Sequence, residues 1–232
     1  LVKEAERGAD LVLEIDINIQ MQVEEIIKEE ILKAKKTANT EFYKESYALI
    51  SDPATGSIKA LAGIRLITNG VNSSFQDVSI NVIKNAYTVG SAVKGASMAV
   101  GYKNGIIDIG TNITDGCVKL ANMPAKCSYK RLGRLNDVEA LALSSNYYQF
   151  IIALGIMGYN YTYNMEAEAS MEHFNLYRNT FAEFGLGAKT GIDLPNESSG
   201  LKGETVASDL LMNLAIGQYD LYTPVELLQY IN

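Results

Sequence analysis

The chain has 232 residues, of which 47% are apolar and 20% charged, with a formal net charge of −7. That is long enough to bury a real core, too apolar for a disordered chain, and acidic with no basic block, which argues against a nucleic-acid partner. The longest nearly unbroken apolar run, Phe150 to Gly158, is far short of the roughly 20 residues that span a bilayer. The start, Leu1-Val2-Lys3-Glu4, runs into charge and carries no signal-peptide pattern.

The first element is a helix from Ile17 to about Lys36. Ile19, Val23, Ile26, Ile27 and Ile31 recur at helical period, and Asp16 stands as N-cap. Tyr47 to Ser51 reads as a strand, Asp52-Pro53-Ala54-Thr55-Gly56 as a turn, and Ser57 to Ala62 as a returning strand. Residues 64–86 are polar and read as irregular, with a loop at Asn69-Gly70 and Asn72-Ser73-Ser74. One hairpin is therefore all the sheet expected here.

A helix is predicted from Ser91 to about Lys103, then a long excursion over 104–134. That excursion holds both cysteines, Cys117 and Cys127, which either bridge a short loop or stay reduced. A helix from Asp137 to about Ile156 is interrupted at Ser144-Ser145-Asn146. Further helices fall at Phe174 to Phe184, Ala207 to Ile216 and Pro224 to Ile231, with a Gly-rich loop between the first two. The single histidine, His173, has no second histidine to make a metal site and reads as a surface residue. One early hairpin followed by helices gives an α+β class.

Two short motifs carry chemistry. Ser91-Ala92-Val93-Lys94 places an amine one helical turn from a hydroxyl, so a lysine with a depressed pKa could serve as base for a serine nucleophile. Alone this is weak, because a chain this long holds about one Ser-x-x-Lys by chance. A second copy, Ser199-Gly200-Leu201-Lys202, lies in a Gly-rich loop that does not present both side chains on one face. Ser144-Ser145-Asn146 offers a hydroxyl for proton relay and an amide to hold a peptide carbonyl. It too has a decoy, Ser79-Ile80-Asn81. The weight comes from the two motifs together, in the order of serine acyl transferases that use Ser-x-x-Lys, Ser-x-Asn and Lys-[Ser/Thr]-Gly.

Tyr87-Thr88-Val89-Gly90-Ser91-Ala92-Val93-Lys94-Gly95 resembles the nucleophile segment of penicillin-binding proteins, and Asp52 to Gly56 the hairpin turn that precedes it there. Leu143 to Asn146 is similar to the family's second motif, Phe184 to Glu197 to a later segment, and Gly217-Gln218 with Thr223-Pro224 to a following helix. The likeness spans nearly the whole chain and is nearest the monofunctional class B type of Gram-positive bacteria. It implies an α/β penicillin-recognising fold, a mostly antiparallel sheet flanked by helices with a helical lobe, the site lying between sheet and lobe.

The same resemblance implies a peptidoglycan D,D-transpeptidase that needs no metal or organic cofactor. Ser91 would attack the bond between the last two D-alanines of a stem peptide, Lys94 would act as base, Ser144 would pass the proton on, and Asn146 would bind substrate. β-Lactams would acylate the same serine. A membrane glycosyltransferase is a candidate partner, and the parent would be anchored on the outer face of the cell membrane by a segment outside this chain. Lys189-Thr190-Gly191 looks like the third motif, but in the family Ile192-Asp193-Leu194-Pro195 marks a structural loop, so it reads as a decoy. Residues 1–232 are then expected to be one transpeptidase domain without its C-terminal part, with an incomplete sheet and poor activity alone. The rivals are a D,D-carboxypeptidase or β-lactamase-like hydrolase, and a non-catalytic sensor or scaffold. Ser91 Oγ, Lys94 Nζ and Ser144 Oγ are expected to converge, away from Lys189.

Overall fold

The computed structural model describes residues 8–70 and 72–232, so the segment Leu1 to Glu4 read above lies outside the described residues. The chain divides into two compact units, one up to Val82 and the other from Ile83 to Ile231.

In the first unit, helix α1 (Ile17–Ala34) packs on a three-stranded antiparallel sheet, β1 (Glu45–Ser51), β2 (Ile58–Asn69) and β3 (Asn72–Asp77), in the order β1-β2-β3. Asp16 caps α1 as expected, its Oδ1 accepting from the N–H groups of Asn18 and Ile19. Ile27 and Ile31 bury against Ala62 and Ile64 of β2, with Val23, Tyr43, Ala48 and Leu66 around them. Gln20 fixes the helix on the strand by exchanging two hydrogen bonds with the Leu61 backbone, at 2.9 and 3.1 Å. Ile26, counted above in the apolar face, is instead exposed, because the buried stripe is narrower than the pattern of isoleucines.

Residues 64–86 differ most from the expectation. β2 runs on to Asn69 and turns into β3, so Leu66 faces Phe75 and Asn69 faces Asn72. All six residues of β3 are exposed, which is why its polar sequence gave no alternation to read. Asn69-Gly70 is itself a strong hairpin signal, with Gly70 at φ +62°.

The second unit is built around α5 (Asn146–Ile156), whose Phe150, Ile152, Ala153 and Leu154 are fully buried. It packs against α3 (Lys94–Lys103) and α7 (Ser208–Ala215); α6 (Met171–Glu183) covers both of those. The short helices α2 (Asn81–Lys84) and α4 (Asp137–Ala142) and the terminal α8 (Pro224–Ile231) complete the helical set. The interruption at 144–146 thus falls between α4 and α5, where the sequence puts it. Two small ladders close the excursion: β4 (Ile113–Thr114) with β7 (Arg134–Leu135), and β5 (Cys117–Val118) with β6 (Lys126–Cys127). The cysteines face each other across the second ladder and form a disulfide. His173 accepts a hydrogen bond from the Ser170 N–H at the start of α6, so it caps a helix. Thr223, Pro224 and Glu226 build the same kind of start for α8, and buried Glu226 also receives the Gly187 N–H at 2.9 Å.

Candidate active site

All four candidate residues lie in the second unit. Gly90 to Val93 form a single 3₁₀ turn that runs into α3, and the Lys94 N–H closes it on the Ser91 carbonyl. In a 3₁₀ turn residues i and i+3 eclipse, so Ser91 and Lys94 share a side of the chain more closely than in an α-helix. Ser91 is exposed and Lys94 is only 2% exposed. The nucleophile candidate therefore faces solvent while its basic neighbour does not.

Backbone contacts from the end of α7 and beyond hold this turn in place. Gly90 N–H donates to the Gly217 carbonyl at 2.9 Å, and Ser97 Oγ to the Ala215 carbonyl at 2.7 Å. Tyr87 and Tyr222 exchange both backbone hydrogen bonds, at 2.9 and 3.0 Å. A Cβ on Gly217 would lie 2.1 Å from the Gly90 oxygen, so only glycine permits this approach. At the first turn of α3 the Tyr230 hydroxyl accepts from the Ala96 N–H, and a Cβ on Gly95 would collide with that hydroxyl at 2.5 Å.

Lys94 Nζ makes three hydrogen bonds, to Ser144 O (2.8 Å), Ser144 Oγ (3.0 Å) and Asn146 Oδ1 (2.6 Å). Ser144 reaches it with both oxygens because its backbone is left-handed, φ +54°, a conformation costly for a non-glycine and often found at working sites. All three acceptors are neutral, so nothing in contact offsets the loss of water. Burial lowers the Lys94 pKa to about 8, against a partial opposing pull from the charge of Asp115.

The structure thus brings Lys94, Ser144 and Asn146 into direct contact. Ser91, one turn away, is not among the partners of Lys94. Lys189 is exposed, and its neighbours Thr190 and Gly191 close onto the Glu197 carboxylate, Thr190 by both N–H and hydroxyl at 2.7 and 2.6 Å. Ser199 to Lys202 lies in irregular chain, with Gly200 at φ +73° and Leu201 bridged to Leu221. Sequence reasoning missed Asp115, Ser128 and Ser145, which meet at the start of α5. The signal available for Ser145 was its place as N-cap; for Asp115 and Ser128 no local pattern pointed to it.

Among the described residues no group of His, Cys, Asp and Glu is placed to hold a metal ion, and no helix is long and apolar enough to cross a membrane.

A buried lysine of lowered pKa, fed by Ser-x-x-Lys and Ser-x-Asn segments on adjoining helices, defines a class. The family model of the penicillin binding protein transpeptidase domain matches residues 46–232, and the chain belongs to that family. It is 37% identical over its whole length to penicillin-binding protein 2A and 39% identical to penicillin-binding protein H, both of Bacillus subtilis (strain 168). In each case it covers 32% of the relative, so the chain spans about a third of their length. The solved structure of penicillin-binding protein 2B from Streptococcus pneumoniae (strain 5204) superposes with a TM-score of 0.90 at 31% identity, covering 99% of this chain and 39% of that one. The resemblance to Gram-positive class B proteins is thereby established, as is the penicillin-recognising fold.

Proposed function

We propose that the chain carries the acyl-transfer residues of a peptidoglycan D,D-transpeptidase, with Ser91 as nucleophile. The observation that supports this most is Lys94: buried, touching only neutral acceptors, and with a pKa of about 8. At pH 7 about a tenth of such an amine is neutral and able to take a proton. An exposed lysine would be neutral far more rarely.

In this reading Lys94 removes the Ser91 proton as Oγ attacks the carbonyl between the two terminal D-alanines of a stem peptide. The Ser91 N–H would be the donor that this turn offers the developing oxyanion. Ser144 Oγ, 3.0 Å from Lys94, relays the proton to the nitrogen of the departing D-alanine. Asn146 Nδ2 holds the acyl chain while its Oδ1 is held by Lys94. The amine of a neighbouring stem then attacks the ester and regenerates Ser91. A β-lactam enters by the same attack, and its opened ring stays attached. Residues 1–232 serve one such domain, and Lys189-Thr190-Gly191 is a turn outside its chemistry.

The disulfide fits an oxidising compartment, in line with a parent working on the cell wall beyond the membrane, where a membrane glycosyltransferase would supply its glycan strands. Glu166, Glu168 and Glu172, from which a hydrolase could draw a carboxylate to position water, are all exposed. Labelling the full-length protein with a fluorescent penicillin and mapping the adduct by mass spectrometry tests the assignment. The adduct is expected on Ser91. An adduct on Ser144 or Ser199, or no adduct, overturns it.

A further inference from the structure

Asn146 N–H, Tyr147 N–H and Tyr148 N–H are the free donors of the first turn of α5. Two serine hydroxyls satisfy all three. Ser128 Oγ accepts from Asn146 and Tyr147, both at 3.1 Å, and Ser145 Oγ accepts from Tyr148 at 3.1 Å. Each hydroxyl has one proton to give, and both go to the same atom. Asp115 Oδ2 receives Ser128 Oγ and Ser145 Oγ, each at 2.7 Å. The other oxygen, Oδ1, is buried and has no hydrogen-bond partner. A carboxylate with one oxygen unpaired is a costly way to cap a helix, because burying an unpaired polar atom is unfavourable.

Asp115 and Ser128 come from the two sides of the disulfide. Asp115 stands two residues before Cys117, and Ser128 directly follows Cys127. The ladder between them, β5 with β6, has only two residues on each strand, too little to hold itself. The covalent link fixes the pair, and the pair fixes the turn that bears Ser144 and Asn146. The charged and titratable groups that meet here are Lys94 of α3, Asp115 of the excursion and Tyr147 of α5, with Tyr161 edge-on to Tyr147.

We infer that Asp115 is a positioning residue for the reaction. Through Ser128 and Ser145 it holds the Ser144–Asn146 turn against Lys94. This rests on the reading of Ser91 as the acylated serine and Lys94 as its base.

The test follows penicillin acylation of the full-length protein between pH 6 and 10, separating the dissociation constant of the first complex from the acylation rate constant. Asp115→Asn keeps the shape and, with its amide oxygen in the Oδ2 place, both serine bonds, but loses the charge; Asp115→Ala loses the charge and both bonds. In Asp115→Ala the acylation rate constant on the high-pH plateau is expected to fall about tenfold to a hundredfold, as for a displaced catalytic group, whereas Asp115→Asn keeps most of it. The dissociation constant should change little. The midpoint of the pH–rate curve should move to lower pH, because the negative charge that favours protonated Lys94 is gone. Ser128→Ala leaves the charge in place and should lower the plateau without moving the midpoint. Opening the disulfide in Cys117→Ser/Cys127→Ser should act as Ser128→Ala does. A merely structural Asp115 would cut the labelled fraction in step with the folded fraction, measured by thermal unfolding, and leave rate constant and midpoint per folded molecule unchanged; that result overturns the inference. If the wild type itself is not labelled on Ser91, the functional reading fails, and this inference with it. A normal wild type beside an unchanged Asp115→Ala removes the inference alone.

Discussion

Two cations in the helical unit, Lys94 and Arg178, keep little of their side chains in solvent, and their surroundings are opposite. Arg178 of α6 meets Asp220 with two parallel bonds, Nε to Oδ2 and Nη2 to Oδ1, both 2.8 Å. Nη2 also holds the Gly203 carbonyl, whose own N–H returns to Asp220 Oδ1. Its hydrogen bond to Asp220 keeps the Arg178 pKa above its usual value, so the charge is permanent. Lys94 has three good acceptors and no carboxylate among them, and its pKa falls instead. The fold pairs the cation that fastens it and leaves without a carboxylate the one proposed to exchange its proton. Arginine suits the first role because it does not give up its proton, and lysine the second because it can.

Three experiments press on that contrast. The largest effect is expected from Lys94→Met, which keeps the stem and removes the proposed base. Penicillin acylation, followed by gel fluorescence over time, should slow about 10²- to 10⁴-fold. Acylation at an unchanged rate would remove Lys94 from the chemistry. Next comes Asp220→Ala. Asp220 is 1% exposed, and its loss strands a guanidinium whose side chain is only 9% exposed, so unfolding in urea should show a loss of about 3 kcal/mol, the lower end for a broken buried pair. The molecules that remain folded should acylate at the wild-type rate. Slowed acylation per folded molecule would mean that the two cations do not have separate roles.

The smallest effect is a stability slope. The folded Lys94 pKa, about 8, lies below the ordinary lysine value of 10.5, so between these limits the unfolded chain binds more protons. Stability should therefore rise with pH across that window, by up to about 1.4 kcal/mol per pH unit. Below pH 8 both states are protonated and the contribution is flat at its least favourable level. Comparing wild type with Lys94→Met by urea unfolding from pH 7 to 10 isolates it. The difference should shift toward the wild type as pH rises, and a flat difference would contradict a depressed pKa.

Much of this was open to sequence reasoning. The period of Ile19, Val23, Ile27 and Ile31 and the cap Asp16 fix α1, because local rules act within one turn. The break at Ser144 to Asn146 and the helical turn at Ser91 that leads into α3 are equally local. The order of the motifs carried the family, since each is weak and their conjunction is not.

What the sequence alone did not decide depends on partners far along the chain. β3 is a strand because β2 offers it backbone bonds, with no buried face of its own to announce it. The disulfide needs Cys117 and Cys127 on facing rungs, a matter of register and not of spacing. Lys94 and Lys189 are both lysines in catalytic-looking motifs. Only tertiary packing buries the first against a turn fifty residues away and leaves the second in water. Asp115 has no motif at all. Its part follows from where the excursion returns it, beneath the first turn of α5, because hydrogen bonds answer to distance in space and not to separation along the chain.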